Sequence, residues 1–308
     1  MIKHSFLLVS LVLIAGAMQA QTEMDAIMMN RSQLCSGFAY SHSSWDTYWE
    51  GTLKRKNENL GTVTSQSAMF MTNYGITSRL NVIASASYVW TMASAGTLQG
   101  MKGLQDGAVF IKWLPYEKVT GHGKIRAVAI GGVTAPLTNY VIDFLPMSIG
   151  MGSTNFIGRA MVDYNYRRIT FTGSAAYIRR SNIKLDRNAY YDTQLHLTNE
   201  VKMPDAAQYQ FRTGYRGQFL LAEILLTNWT TLGGFDLTRN NMPFPSNRMN
   251  WTSIGFQGKY TLPRFTSLSV IAGAATVLGG RNTGMAHSFN VGAFYGFYMS
   301  KKKVEKNN

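Results

Sequence analysis

The 308-residue chain has one cysteine, Cys35, so an internal disulfide is impossible. Acidic side chains are scarce, 16 against 30 Lys and Arg. Charged residues make up only 15% of the chain, well under the ~25% of ordinary soluble domains. That composition excludes a typical soluble exported enzyme. The basic residues are dispersed rather than gathered into blocks interleaved with aromatics, so no nucleic-acid partner is expected. Beyond the first residues, long hydrophobic runs are missing too. The most apolar stretches, FLLAEILL (219–226) and SLSVIAGAATVLGG (267–280), are broken by Glu223 or rich in Gly, and a spanning helix needs ~20 apolar residues. No segment carries the helical period. His4, His42, His122, His196 and His287 lack paired ligand spacing, and neither HExxH nor a phosphate-binding glycine loop occurs. No metal or cofactor is therefore expected.

What is present begins with an export signal. Lys3 and His4 precede an apolar run from Phe6 to Met18, and small residues follow at Ala15, Gly16, Ala17 and Ala20. This charged, apolar, small-residue order reads as a secretory signal peptide over 1–20. The mature chain is thus expected outside the cytoplasm, with no helix to hold it in a bilayer.

The dominant pattern is alternation with period two, which puts apolar groups on one face of a strand and polar groups on the other. In RITFTGSAAYIRR (168–180), Ile169, Phe171, Gly173, Ala175 and Tyr177 oppose Arg168, Thr170, Thr172 and Ser174. The same alternation marks 44–54, 80–91, 154–166, 208–216, 252–261 and 288–299. It is weaker over 62–72, 104–114, 124–135 and 267–277, and least regular over 219–230, where Glu223 falls on the polar side. Tight connections (73–79, 166–168, 214–218, 262–265) alternate with long ones (92–103, 136–153, 179–207, 232–251). Strands of ~9–11 residues with one greasy and one wet face fit a bilayer. Lipid offers no hydrogen-bond partner, so the sheet must close on itself. Short turns at one end and long loops at the other are the asymmetry of an outer-membrane barrel.

The expected fold is therefore all-β: a closed transmembrane antiparallel β-barrel of about 12 strands, an even number, over 43–300. Residues 21–42 are expected as a periplasmic or plugging segment and 301–308 as a basic periplasmic tail. Both termini then share the periplasmic side of the outer membrane, and lipid and lipopolysaccharide surround the barrel. Trp45, Tyr88, Trp90, Trp113, Tyr164, Tyr166, Tyr177, Trp251 and Tyr260 fall at or near strand ends, where aromatic belts sit.

The last strand carries NVGAFYGF (290–297). Asn290, Gly292, Tyr295 and Phe297 resemble the C-terminal signal read by the barrel-assembly machinery, a biogenesis partner this implies. NYGITSRLNVIASASYVW (73–90) followed by GMKGLQDGAVFIKW (100–113) is similar to a family of exported barrels assigned to transport in the phenol meta-degradation pathway. Gln105 stands where that family has a second Gly before Asp106. The resemblance implies passive uptake of small hydrophobic or aromatic solutes, and it carries no binding residue with it.

Candidate site residues come from the polar faces. Lys112, Lys124, Arg126, Arg159, Arg168, Arg212, Arg216 and Lys259 point inward in this register, with Asp46, Glu50, Asp106, Asp163 and Glu223 as acidic companions. Arg159, Arg212 and Lys259 lie mid-strand and are the leading candidates to line a pore, with Arg126, Lys112, Asp163, Gln210 and Gln257. Two readings of such an interior compete: a cationic lumen attracts anions, or the arginines ladder with the acids and pack the interior shut. Two other functions are open at this point. YSHSSW (40–45) resembles the Tyr-x-His-x-Ser motif of outer-membrane phospholipases, with His42 and Ser44 on one face, but Trp45-Asp46 replace the Asn-Gly that follows there. A structural surface barrel without transport is the other.

Overall fold

The computed structural model describes residues 22–237 and 242–299. Signal residues 1–20 and tail residues 301–308 lie outside the described residues.

Period-two segments pair in sequence order into a closed barrel of 12 antiparallel strands. They are β1 Gln33–Trp45, β2 Val63–Thr77, β3 Leu80–Ala93, β4 Lys102–Thr120, β5 Gly123–Pro136 and β6 Asn155–Tyr166. The second half comprises β7 Ile169–Arg180, β8 Ala206–Arg216, β9 Leu220–Thr231, β10 Asn250–Thr261, β11 Leu268–Arg281 and β12 His287–Tyr298. Closure pairs β1 with β12, from Gln33 opposite Tyr298 to Ser44 opposite His287. No edge is left to seek another chain.

The alternation settles which face is which. Phe156, Val162, Phe171, Tyr209, Phe211, Ile254 and Phe256 are exposed on the outer face. Their neighbours Arg159, Asp163, Thr172, Gln210 and Arg212 are buried inside. Exposed aromatics ring both ends: Trp113, Tyr116, Tyr164, Tyr166 and Tyr260 toward the short turns, Tyr88, Phe156 and Tyr177 toward the long loops. An apolar outer band with aromatic girdles is the surface a bilayer requires.

The short-turn end holds 78–79, 121–122, 167–168, 217–219 and 262–267, together with Gln33 and Tyr298. Its register steps at β4, which continues to Thr120 although its last pair with β3 is Trp113 opposite Leu80. Pro115 sits in the bulge between Trp113 and Tyr116, where a missing N–H removes no ladder bond.

The first strand departs from the sequence reading. Of residues 44–54 only Ser44 and Trp45 belong to it; β1 begins at Gln33, so the barrel spans 33–298 and the segment before it ends at 32 rather than 42. Thr47–Glu50 and Leu53–Lys56 instead make a small hairpin in the first long loop. Trp49 N–H donates to the Thr283 carbonyl and Met285 N–H to the Thr47 carbonyl, which docks the hairpin on the 282–286 turn. The aromatic alternation of Trp45 and Trp49 belongs to this docking, not to lipid contact. Asp46 and Glu50 therefore belong to the loop end, not the barrel interior.

The other loops pack on one another. Ile183, Leu185, Tyr190, Val201, Met203 and Phe244 bury one cluster contributed by 181–205 and 232–249. Loop 137–154 adds Ile142 and Met151 to it. That loop also folds back over the mouth: Thr91, on the inner face of β3, donates to the Met147 carbonyl at 2.6 Å.

Candidate functional site

The barrel interior is built from two kinds of residue. Apolar groups also point inward: Ile83, Phe110, Val128, Ile130, Met161 and Phe294 are all buried there. The remainder is charged, and the charges are organised. Asp163 on β6 accepts from Arg126 Nε and Nη2 at 3.0 and 2.6 Å. It also accepts from Thr172 at 2.7 Å and from Arg216 Nη1 at 3.2 Å. Arg216 reaches on to Glu223 at 3.1 Å, and Arg212 donates twice to the other Glu223 oxygen at 3.0 and 2.7 Å. Arg126, Asp163, Arg216, Glu223 and Arg212 thus form one chain of ion pairs across β5, β6, β8 and β9. Asp163 and Glu223 are fully enclosed. Burying such charges is tolerable only because nearly every oxygen is occupied.

Residues 22–32 enter this interior. Lys112 Nζ donates to the Thr22 carbonyl and to Asp25, each at 2.9 Å. Arg212 Nη1 donates to the Met24 carbonyl at 2.9 Å. Ala26 and Met29 complete the apolar packing against Ile83 and Phe110. At the rim, Ser32 N–H donates to Gly75 and Met299 N–H to Ser32.

Two cavities flank Glu23 and Met24. One, about 370 Å³, is bounded by Met69, Met71, Leu225, Gln210, Gln257 and Lys259, among others. The other, about 360 Å³, has Phe110, Ile157, Trp229, Arg159, Arg180 and Gln208 in its wall. Both sizes fall within the ~300–1,000 Å³ of small-molecule sites. Gln210 Oε1 has no hydrogen-bond partner, and a buried acceptor without one is costly.

Every residue singled out as pore-lining faces this interior, in different roles. Arg126, Asp163 and Arg212 belong to the ion-pair chain, and Lys112 is held by Asp25. Arg159, Lys259, Gln210 and Gln257 line the cavities. Arg168 is misplaced by the sequence pattern: it sits in the 167–168 turn and donates to Tyr215 Oη at 3.1 Å. A turn needs a residue outside the alternation, and Arg168 provides it. Glu23, Asp25, Arg180 and Trp229 were not visible as site residues. Two acids in the short span 23–25 of an acid-poor chain are the one signal that marked the first pair.

His42 and Ser44 share the outer face of β1, as period two requires. The His42 ring stacks on Phe289 at 5.2 Å between centroids. Among the described residues His42 makes no hydrogen bond to Ser44, so no nucleophile–base contact exists there. Asn290 and Gly292 face inward, and the Tyr295 and Phe297 rings lie 6.0 Å apart on the outer face. Among the described residues no cluster of His, Cys, Asp or Glu could hold a metal ion.

No family model matches the sequence, and no curated protein does. Solved structures do match. The COG4313 outer membrane channel from Pseudomonas putida F1 aligns over 90% of this chain and 100% of its own, at 13% identity and a TM-score of 0.69. The translocator domain of the autotransporter NalP from Neisseria meningitidis aligns over 87% and 89%, at 9% identity and 0.46. OccD3 from Pseudomonas aeruginosa aligns over 89% and 93%, at 9% identity and 0.36. At such identity the first of these shows a likeness of fold alone: a closed antiparallel β-barrel, here of 12 strands.

Proposed function

We propose that this protein is an outer-membrane channel that passes small hydrophobic, aromatic or anionic molecules by passive diffusion. The observation that carries the reading is the interior: two cavities with mixed apolar and cationic walls, separated by a short segment rather than by packed strands. Around the cavities and the ion-pair chain, Lys112, Arg126, Arg159, Arg180, Arg212, Arg216 and Lys259 outnumber the carboxylates Glu23, Asp25, Asp163 and Glu223. The interior is net positive, which favours anions. The similar fold of an outer membrane channel and the resemblance of 73–113 to the phenol-pathway barrels both support this reading. In this orientation the short turns and both termini are periplasmic and the packed loops are extracellular.

Residues 22–32 act as the resting closure. Full-length protein in planar bilayers should conduct weakly, and deletion of 22–31 should raise conductance and admit small solutes in liposome swelling. The enlarged current should prefer anions at low salt, and that preference should fade as the Debye length falls toward ~3 Å at 1 M. Arg159→Gln with Arg212→Gln should weaken it. A deletion variant that neither conducts nor swells liposomes removes the channel reading.

A further inference from the structure

Arg159 stands apart from the arginines of the ion-pair chain. Arg126, Arg212 and Arg216 each donate to carboxylates. Arg159 is just as buried, 7% exposed, yet its hydrogen-bond partners are neutral: Ser174 and Gln208. Among the described residues it makes no ion pair. A guanidinium taken out of water without an opposite charge is costly, and the position calls for an anion.

The cavity beside it supplies the rest of a site. Trp229, Phe110 and Ile157 form an apolar wall, and Gln208 and Arg180 place polar groups at its margin. The Arg180 guanidinium lies over the Trp229 ring at 5.3 Å. The lining thus joins apolar side chains to a buried guanidinium. The carboxylate that occupies the neighbourhood belongs to the chain itself. Glu23 lines the same cavity and acts electrostatically on both Arg159 and Lys112. Its flanking carbonyls, Thr22 and Met24, are the ones held by Lys112 and Arg212.

We propose that this cavity binds an aromatic carboxylate, with its ring against Trp229 and its carboxylate on Arg159, and that the ligand competes with Glu23. Glu23 is a tethered stand-in for the ligand's anionic group. When a free carboxylate takes Arg159, the attraction between Arg159 and Glu23 is offset, and residues 22–25 are held by the contacts to Lys112 and Arg212. Binding then loosens the closing segment, so the solute favours the open barrel by its differential affinity for the two states. This deepens the channel reading and rests on it for the role of the closing segment, whereas the binding site is testable without any transport.

The test is calorimetric titration of the purified full-length barrel in detergent with benzoate, alongside benzyl alcohol and acetate. Benzoate should bind, and both the neutral ring and the ringless anion should bind far more weakly. Arg159→Gln should weaken benzoate by about tenfold or more, while Arg159→Lys, which keeps the charge, should retain part of it. Glu23→Gln should tighten benzoate several-fold by removing the competitor. In a Thr22→Cys, Cys35→Ser variant, benzoate should speed thiol labelling at position 22. Heat-modifiability confirms that each variant is a folded barrel. Benzoate binding that is unaffected by Arg159→Gln, or weakened by Glu23→Gln, overturns the proposal. Anion-selective conductance without benzoate binding overturns it while sparing the channel. Benzoate binding without solute flux does the reverse.

Discussion

Gly75 passes so close to Asn30 that a Cβ at position 75 would lie 2.0 Å from the Asn30 carbonyl oxygen. The contact is backbone against backbone, so no side-chain rotation can relieve it. Next to it Ser32 N–H donates to the Gly75 carbonyl at 2.7 Å, and Asn30 Nδ2 donates to the Tyr298 hydroxyl at 3.1 Å. Only glycine lets residues 28–32 lie flat on β2.

Gly75→Ala should therefore displace residues 28–32 while leaving the 12 strands paired. The expected outcome is a barrel with normal heat-modifiability and raised conductance in planar bilayers. An alanine variant that conducts no more than the parent would show that the closing segment is held from elsewhere, with Lys112 and Asp25 the next contacts to remove.

Asp163 is the knot of the ion-pair chain, since it accepts from Arg126, Arg216, Thr170 and Thr172 at once. Asp163→Ala leaves the Arg126 guanidinium without its carboxylate and Arg216 with Glu223 alone. Breaking a buried pair by removing one partner costs roughly 3–5 kcal/mol. The midpoint of guanidinium unfolding in detergent should fall accordingly, and Asp163→Asn, which keeps acceptor capacity without the charge, should fall less. An unchanged midpoint would mean that water screens this region and the chain of pairs adds nothing.

These two sites differ in how much of them the sequence carried. Asp163 lies on β6, where Phe156, Val162 and Tyr164 mark the outer face so clearly that the inward positions follow by parity. The Gly75–Asn30 contact has no local signature. Asp25 meets Lys112 across 87 residues of sequence, and QTEMDAIMM has no period to place it. The misreading of β1 has the same origin. Its outward face holds Ser36, His42 and Ser44 beside Phe38 and Tyr40, so the polarity contrast is weak. Trp45 and Trp49 gave the following stretch a stronger alternation, but their rings pack on Gly284 and Gly280. A period reports which residues share a face; it does not report whether lipid, a loop or the barrel interior lies against that face.

The loop end carries a pH-sensitive clasp. Asp236 accepts from Arg281 Nε at 2.7 Å and from Asn282 Nδ2 at 2.8 Å. The Arg281 bond is the main cause that holds its carboxyl down from 3.8 to about 2. A depressed folded-state value contributes stability that is present above the unfolded value and lost as pH falls through about 2. Part of the Asp236 side chain is exposed, so solvent screens the effect and it stays local. Pepsin cleavage within 232–249 should accelerate as pH drops from 4 toward about 2, beyond the change in pepsin's own activity on an unfolded substrate. Asp236→Asn should cleave faster at the upper end and lose the pH dependence. Equal behaviour of the two proteins would show that the clasp does not hold the loop.

The final strand makes a separate prediction about biogenesis. Asn290 and Gly292 face the interior, and a Cβ at 292 would lie 2.8 Å from the Phe38 carbonyl oxygen on β1. Tyr295 and Phe297 instead stand on the lipid face, where neither supports the interior packing. Their removal should therefore cost the finished barrel little, whereas an assembly factor that reads the exposed strand before closure would lose both aromatic marks. Tyr295→Ser with Phe297→Ser should lower the amount of heat-modifiable protein in the outer membrane, while the same protein refolded from denaturant into detergent should reach a barrel of near-parental stability. The split between the two outcomes is the diagnostic. Equal loss in cells and in refolding would make these rings part of the barrel's own stability, and no loss in either would leave the strand's aromatic ending without a role in assembly.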